Sequence, residues 1–138
     1  MPRPLTPLPD PTLATIQFLR TIGQLTALTA AVKIVSELPN NPDYTTPYVI
    51  VQHAGGNGIW PAFDDAAMQI DVVGGTKVLC GQVTGMVRAA VWAIANDIVA
   101  AGVLASGADE MAPAWMPDAI MNPPTPRYTA RYRILLHS

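Results

Sequence analysis

The chain has very few charged side chains. Only 13% of its 138 residues are Asp, Glu, Lys or Arg, well below the usual share, whereas 50% are hydrophobic. A small protein with so few charges covers its own surface poorly, so we expect other chains to cover part of it. The net charge of −2 argues against a dedicated nucleic-acid binder, which would usually be basic.

Cysteine and long apolar runs are also scarce. The single cysteine, Cys80, excludes an internal disulfide and fits a reducing compartment, and its place in a predicted helix indicates an inert thiol. The stretch 79–94 comes nearest to a membrane span, but glycines, polar residues and Arg88 interrupt it. No secretory signal is predicted, because Met1-Pro2-Arg3-Pro4 leads into no apolar run. We therefore expect no membrane association.

Motifs for catalysis, cofactor binding or metal binding are missing as well. Residues 55–58, Gly-Gly-Asn-Gly, lack the lysine and the trailing Ser or Thr of a phosphate loop. His53 and His137 have no ligand spacing to a second His or Cys. Adjacent carboxylates such as Asp64 and Asp65 are more often solvated than metal-bound. We predict a protein without enzymatic activity, cofactor or metal.

A strand followed directly by a long helix organises the chain. Residues 66–73 alternate between apolar and polar side chains, which is typical of a strand with one buried face. Gly74-Gly75 ends this strand, and Thr76 can cap a helix that runs to about Asn96. The helix has an apolar stripe at three- and four-residue spacing, formed by Leu79, Val83, Met86, Val87, Ala90, Val91 and Ile94.

Shorter patterns predict the remaining elements. Asp10-Pro11 is typical of an N-cap and the first residue of a helix, which Gly23 would end. Strands are predicted around residues 32–36 and 48–52, over 127–137 and, more weakly, at 102–107. The expected order is α-β-β-β-α-β-β. We predict a two-layer α+β sandwich, in which two helices cover a mostly antiparallel sheet of four to five strands.

Proline-rich and glycine-rich segments surround and interrupt this fold. Residues 1–9 contain four prolines and are predicted to form an extended arm, which leaves a single domain at 10–138. Residues 54–65 are predicted to form a long hairpin loop, whose length favours a functional role. Residues 109–126 contain five prolines and are predicted to form an extended excursion.

Aromatic and acidic residues in these segments are candidates for contact with another protein. Trp60 and Phe63 have no periodic partner in the predicted loop. They either fold back on the core or, together with Asp64 and Asp65, contact a partner. Trp115 is the candidate in the proline-rich excursion.

Three arginines of the last predicted strand are further candidates. Arg127, Arg131 and Arg133 project from one face, and the opposite face is apolar, with Tyr128, Ala130, Tyr132, Ile134 and Leu136. The arginines form a solvated sheet face, an intersubunit surface that pairs carboxylates of a neighbour, or a contact for nucleic-acid phosphates. The sequence leaves these three interpretations open.

Six segments together carry a resemblance that extends over nearly the whole chain. They are Leu8-Pro9-Asp10-Pro11, Val35-Ser36-Glu37-Leu38-Pro39, Pro47-Tyr48-Val49-Ile50-Val51, Met68-Gln69-Ile70-Asp71-Val72, Pro113-Ala114-Trp115-Met116-Pro117-Asp118 and Pro126-Arg127-Tyr128. In order and spacing they resemble the tail terminator proteins of long-tailed, siphovirus-type bacteriophages, of the type common in phages of actinobacteria.

The resemblance implies a structural role in the virion. A small α+β subunit would form a hexameric ring in the tail–neck region, after assembly in the host cytoplasm. The ring would cap the tail tube protein, end its polymerisation and dock the head–tail connector or stopper. DNA would pass through it without sequence-specific binding, and no enzymatic activity or cofactor is implied.

The sequence is also compatible with two alternatives. The first is another neck or tail component, such as a head-side stopper or the tail tube subunit. The second is a small ligand-binding α+β protein, which would have a deep pocket with convergent polar groups.

Overall fold

The computed structural model describes residues 8–28, 32–59, 63–117 and 125–137. In chain order its elements are α1 (Pro11–Arg20), α2 (Gly23–Leu28), β1 (Lys33–Val35), β2 (Tyr48–Ile59), β3 (Phe63–Val73), α3 (Lys77–Trp92), β4 (Ala95–Val99), β5 (Gly102–Trp115) and β6 (Arg127–His137). The fold is therefore α+β, which confirms the predicted class.

The strands form one six-stranded sheet in the order β1-β2-β3-β6-β5-β4. β1 runs parallel to β2, and the other neighbouring pairs are antiparallel. At the centre, β3 and β6 pair without interruption from Asp64↔Leu136 to Val73↔Arg127. The sheet thus extends from this central pair towards β1 on one side and β4 on the other.

The main core lies between the helices and one face of the sheet. Alternation along the two central strands points six of its largest side chains to that face, each at most 2% exposed: Met68, Ile70, Val72, Tyr132, Ile134 and Leu136. The helices contribute Leu19, Val83, Val87 and Val91, all at most 1% exposed. Burial of apolar area on this scale is the main term that stabilises the fold.

Both predicted helix caps are confirmed. The Asp10 carboxylate accepts hydrogen bonds from the backbone N–H groups of Thr12 and Leu13, at 3.0 and 3.3 Å. The Thr76 hydroxyl accepts one from the Leu79 N–H at 3.1 Å. Each cap satisfies donors that the first helical turn leaves without a partner.

The lone thiol is part of the core. Cys80 is fully buried, and its Sγ lies 3.2 Å from the Val72 carbonyl oxygen, to which the thiol donates. Burial raises the pKa of the Cys80 thiol to about 11, so it is protonated at neutral pH. A thiol in this state is a poor nucleophile.

The predicted architecture is wrong in its element count. Among the described residues the sheet has six strands rather than four to five, and three helices rather than two pack on it. Helix α3 ends at Trp92, not near Asn96, and β4 follows at once. Helical spacing of apolar residues continues past Trp92, but the backbone of Asn96 has a φ of 54°, which ends any helix.

The long hairpin loop predicted over 54–65 is mostly strand. β2 continues to Ile59 and β3 begins at Phe63, so the two strands pair almost to the tip. A bulge lies between His53 and Gly56. Gly56 has a φ of 127° and lies so close to the β3 backbone that a Cβ has no room. The glycines that suggest a loop therefore form this bulge.

The excursion predicted over 109–126 is wrong for its first part. β5 runs through this segment to Trp115, and register shifts accommodate Pro113 within the strand. The Met116 N–H then donates to the Arg127 carbonyl oxygen at 2.9 Å, which keeps the chain tied to β6. Residues 118–124 of the predicted excursion, and residues 1–7 of the predicted arm, lie outside the described residues.

Substitutions at two glycines, one in β5 and one in α3, test how closely α3 packs on the sheet. A Cβ on Gly107 would meet the Val91 backbone and lie 3.1 Å from Ile94, whereas one on Gly85 would meet nothing within 4 Å. We expect Gly107→Ala to lower the free energy of unfolding by about 1–3 kcal/mol through overpacking. Gly85→Ala should raise it by up to about 1 kcal/mol, because alanine favours the helix. Urea denaturation measures both, and equal stabilities would contradict close packing of α3 on β5.

Candidate functional site

The face of the sheet opposite the helices, termed the open face, is polar along β6. Alternate residues of this strand point away from the core, so Arg127, Arg131 and Arg133 share the open face. Thr129 lies among them and is 7% exposed. The predicted common face of the three arginines is therefore present.

Carboxylates of the same chain pair with these arginines. An Arg127 Nη2 lies 3.1 Å from an Asp71 carboxylate oxygen, and the Arg133 Nε lies 3.1 Å from a Glu110 oxygen. Arg131 is 3.9 Å from the other Glu110 oxygen. Since carboxylates of this chain offset most of the positive charge, the open face is poorly suited to bind phosphates. Pairing with a neighbour's carboxylates stays a prediction.

A second cluster joins the end of α3 to β5. The Asp109 carboxylate accepts from Arg88 Nη2 at 2.7 Å and from the Trp92 indole N–H at 2.9 Å. The Arg88 guanidinium also lies over the Trp92 ring, 4.6 Å from its centroid. Three side chains thus hold one another in place, although the Trp92 side chain remains 58% exposed.

Electrostatics strengthen this cluster. The hydrogen bonds from Arg88 hold the pKa of the Asp109 carboxyl below its ordinary value, despite some desolvation. The same contact raises the pKa of the Arg88 guanidinium. Both groups are therefore charged at neutral pH, and the indole stays oriented by an ionised acceptor.

Trp115 forms a third cluster at the other end of α3. Its ring contacts the Tyr128 ring edge-on at 5.2 Å, and the Lys77 ammonium lies 4.7 Å from its centroid. The Trp115 side chain is 40% exposed, and the neighbouring Met116 is 49% exposed. This tryptophan too is partly exposed and yet held by its own chain.

The exposed face of α3 connects the two tryptophan clusters. Val78, Gln82, Gly85, Ala89 and Trp92 follow one another at spacings of three and four residues and are exposed. None of the five is charged, which is unusual for a solvated helix face. Preorganised tryptophans beside an uncharged surface are typical of protein–protein interfaces. The exposed face of α3 is therefore a candidate surface for contact with another chain.

The remaining predicted residues do not converge on one site. Phe63 is 38% exposed and contacts the His137 ring edge-on at 5.2 Å. Asp64 and Asp65 are consecutive in β3, so their side chains point to opposite faces. Trp60 lies outside the described residues.

The described residues contain neither a metal-binding cluster nor a membrane-spanning helix. In residues 8–28, 32–59, 63–117 and 125–137, no group of three or more His, Cys, Asp or Glu side chains could hold a metal ion. The helices found in those ranges are all too short or too polar to cross a bilayer.

Sequence reasoning missed the Arg88–Trp92–Asp109 cluster. Arg88 and Trp92 are four residues apart, a spacing that places two side chains together on a helix. That signal was available. Asp109 was not predictable as their partner, because the segment after residue 109 reads as an excursion outside the sheet.

Comparisons with known proteins show a shared fold. Neither the protein-family models nor the curated proteins searched give a match. Among solved structures, the chain is similar to one from the virion of a native gene transfer agent particle, with a TM-score of 0.63 and 16% sequence identity. The similarity covers 93% of this chain and 95% of that chain. At this identity the finding establishes the fold alone.

The Arg127–Asp71 pair makes a testable contribution to stability. Asp71 is 6% exposed, so removal of its cation leaves a buried carboxylate that, among the described side chains, only the Gln69 amide contacts as a donor, at 3.4 Å. We expect Arg127→Leu to lower the free energy of unfolding at neutral pH by about 1–3 kcal/mol, because Arg127 itself is partly exposed. Adding Asp71→Asn should recover much of the loss, as measured by urea denaturation. No recovery in the double variant would contradict this account.

The Asp109 cluster predicts an acid transition at Trp92. Because the pKa of Asp109 is lowered, the cluster's contribution is complete above the ordinary carboxyl pKa of about 3.9 and is lost as the pH falls through the lower folded value. The indole N–H resonance of Trp92 should follow this titration in NMR spectra. Arg88→Gln should move the midpoint upwards. A midpoint unaffected by this substitution would show that Arg88 does not hold Asp109 ionised.

Proposed function

We propose that this protein is a structural component of a phage-like virion. The observation that carries the proposal is the fold similarity to a chain of the gene transfer agent virion, because it covers 93% of one chain and 95% of the other. Similarity over nearly full length means that the two chains share a complete architecture rather than a common motif.

The surface of the chain supports an assembly role without chemistry. Its exposed tryptophans, Trp92 and Trp115, are held by Arg88 and Lys77 of the same chain. Ordering them in a complex therefore costs little conformational entropy. The low charge content of 13% leaves a surface that partner chains can cover.

Within the virion, we assign the chain the role of tail terminator. Copies of it form a ring, expected to be a hexamer, in the neck of the particle. The ring ends polymerisation of the tail tube protein on one side and receives the head–tail connector or stopper on the other, while DNA passes through the lumen. Support comes from the resemblance of the sequence to this family and from the fold similarity to a virion chain.

Electron microscopy of the purified protein, alone and with tail tube subunits, tests this role. We expect closed rings of one size and tubes that stop growing once rings bind their ends. Sedimentation at several protein concentrations should give a single limiting assembly, since a closed ring has no free end.

Three outcomes would contradict the assignment. Open-ended tubes of the protein alone would identify a tube subunit instead. Rings that bind only the head connector would identify a stopper. A protein that stays monomeric with and without tube subunits would exclude a ring-forming role.

A further inference from the structure

The sheet ends in two short strands, β1 and β4, whose outer sides have no partner strand in the described part of the chain. β1 contains three residues and β4 contains five. Backbone groups of an outer strand that have no partner can hydrogen-bond an additional strand. Side chains of the same chain already engage two backbone groups of these strands, since Arg20 donates to the Ile34 carbonyl oxygen and the Ala95 N–H donates to Asp97. One chain therefore carries two possible pairing edges, on opposite sides of one sheet.

The β1 edge has a groove on each face of the sheet. The open-face groove has a volume of about 450 Å³ and is lined by Val35, Leu38 and Tyr48, together with Lys33 and Glu37 among others. Side chains of an added strand point alternately to the two faces, so one set would enter this groove.

A second groove runs along β1 towards the helix side. It has a volume of about 350 Å³ and is lined by Arg20, Val32, Lys33, Ile34 and Val35. Arg20 Nη2 donates to the Ile34 carbonyl oxygen at 3.0 Å, which holds the guanidinium beside the strand. This helix-side groove therefore combines aliphatic side chains with a fixed cation at its wall.

The side chains of β4 fit this arrangement face by face. Ile98 is 82% exposed and pairs with Val103 of β5, which in turn pairs with His137 of β6. Paired residues share a face, and His137 lies on the open face, so Ile98 lies there too. Asp97 pairs with the buried Leu104 and therefore points to the helix side, where its carboxylate also accepts from the Ala95 N–H at 2.9 Å. One edge thus presents an exposed isoleucine and a carboxylate, and the other presents a partly apolar groove and a guanidinium, each on the matching face.

We propose that β4 of one copy adds to β1 of the next copy. Ile98 then enters the open-face groove beside Val35 and Leu38, and Asp97 faces Arg20 on the helix side. The occupant of the β1 edge is a second copy of this chain, argued from charge complementarity and matching faces. This inference rests on the proposed ring, for which it supplies the subunit contact.

Strand directions agree with a closed assembly. β1 is parallel to β2, and four antiparallel pairings lead from β2 to β4, so β1 and β4 point in the same direction. The added pair is therefore parallel when neighbouring copies keep their helices on the same side. Such a contact is heterologous and closes into a ring when the rotation between copies allows it.

Two exposed apolar residues provide a matched test of this contact. We expect Ile98→Asn to weaken association about 10-fold or more, because it removes an isoleucine that the contact buries. Met111, on β5 beyond the residues that pair with β4, is 39% exposed and serves as the control. Met111→Asn should associate like wild type. Both residues are exposed in the monomer, so thermal unfolding under dissociating conditions should be nearly unchanged.

Cross-linking tests the geometry directly. The Ile98→Cys and Asn40→Cys variants, mixed and treated with a short bismaleimide, should form a covalent dimer, since Asn40 lines the open-face groove. Cys80 is fully buried and should not react. In the control mixture, Gln82→Cys replaces Asn40→Cys and places the thiol on the exposed face of α3, where no cross-link to residue 98 is expected.

The outcomes separate this contact from the proposed function. Rings that form with Ile98→Asn as readily as with wild type, without a 98–40 cross-link, overturn the β4–β1 contact and leave the terminator role intact. Absence of any multimer, alone or with tube subunits, overturns both. A ring that yields the cross-link and is weakened by Ile98→Asn but not by Met111→Asn supports the contact.

Discussion

The uninterrupted pairing of β3 with β6 is the constraint on which the rest of the structure depends. It runs through ten consecutive residue pairs, from Asp64↔Leu136 to Val73↔Arg127. Side chains in a strand alternate between faces, so a shift of β3 by one residue along β6 would exchange every buried and exposed position of β3. Such a slip would place Gln69 in the core and bring Met68 to the open face. The large cost of burying unpaired polar groups therefore selects a single register.

This register also decides what each surface offers. On the helix side it forms the core against which α1 and α3 pack, and thereby fixes the exposed face of α3 between Trp92 and Trp115. On the open face it sets Arg127 beside Asp71, so the cations are offset before any partner arrives. At the two ends of the sheet it leaves β1 and β4 as short outer strands. The chain thus presents nearly neutral surfaces, which suit contact with other protein chains better than phosphate binding.

Sequence patterns predicted the elements that obey one periodicity and are bounded by clear caps or turns. β6 was predicted over its observed range, and Asp10 and Thr76 were predicted as the caps that the structure shows. Prediction failed where a second constraint interrupts the pattern. The bulge at Gly56 hides the continuation of β2, the register shifts around Pro113 hide the second half of β5, and apolar spacing carried over from α3 hides β4. Of the candidate site, the common face of the three arginines was predictable, whereas the Asp109 cluster and the grooves beside β1 were not.

The sequence alone determined the α+β class, the two central strands and the polar character of one sheet face. These features depend on residues that are close together in the sequence, so the periodicity of apolar residues and the capping residues are sufficient to predict them. Only the tertiary structure decided which carboxylates pair with the arginines, how Trp92 is held, and which strands lie at the edges. Those features join residues far apart in the chain, such as Arg88 with Asp109 and Arg127 with Asp71, and no short-range pattern encodes such a contact. They follow from the order of the strands in the sheet, which packing of the whole chain selects.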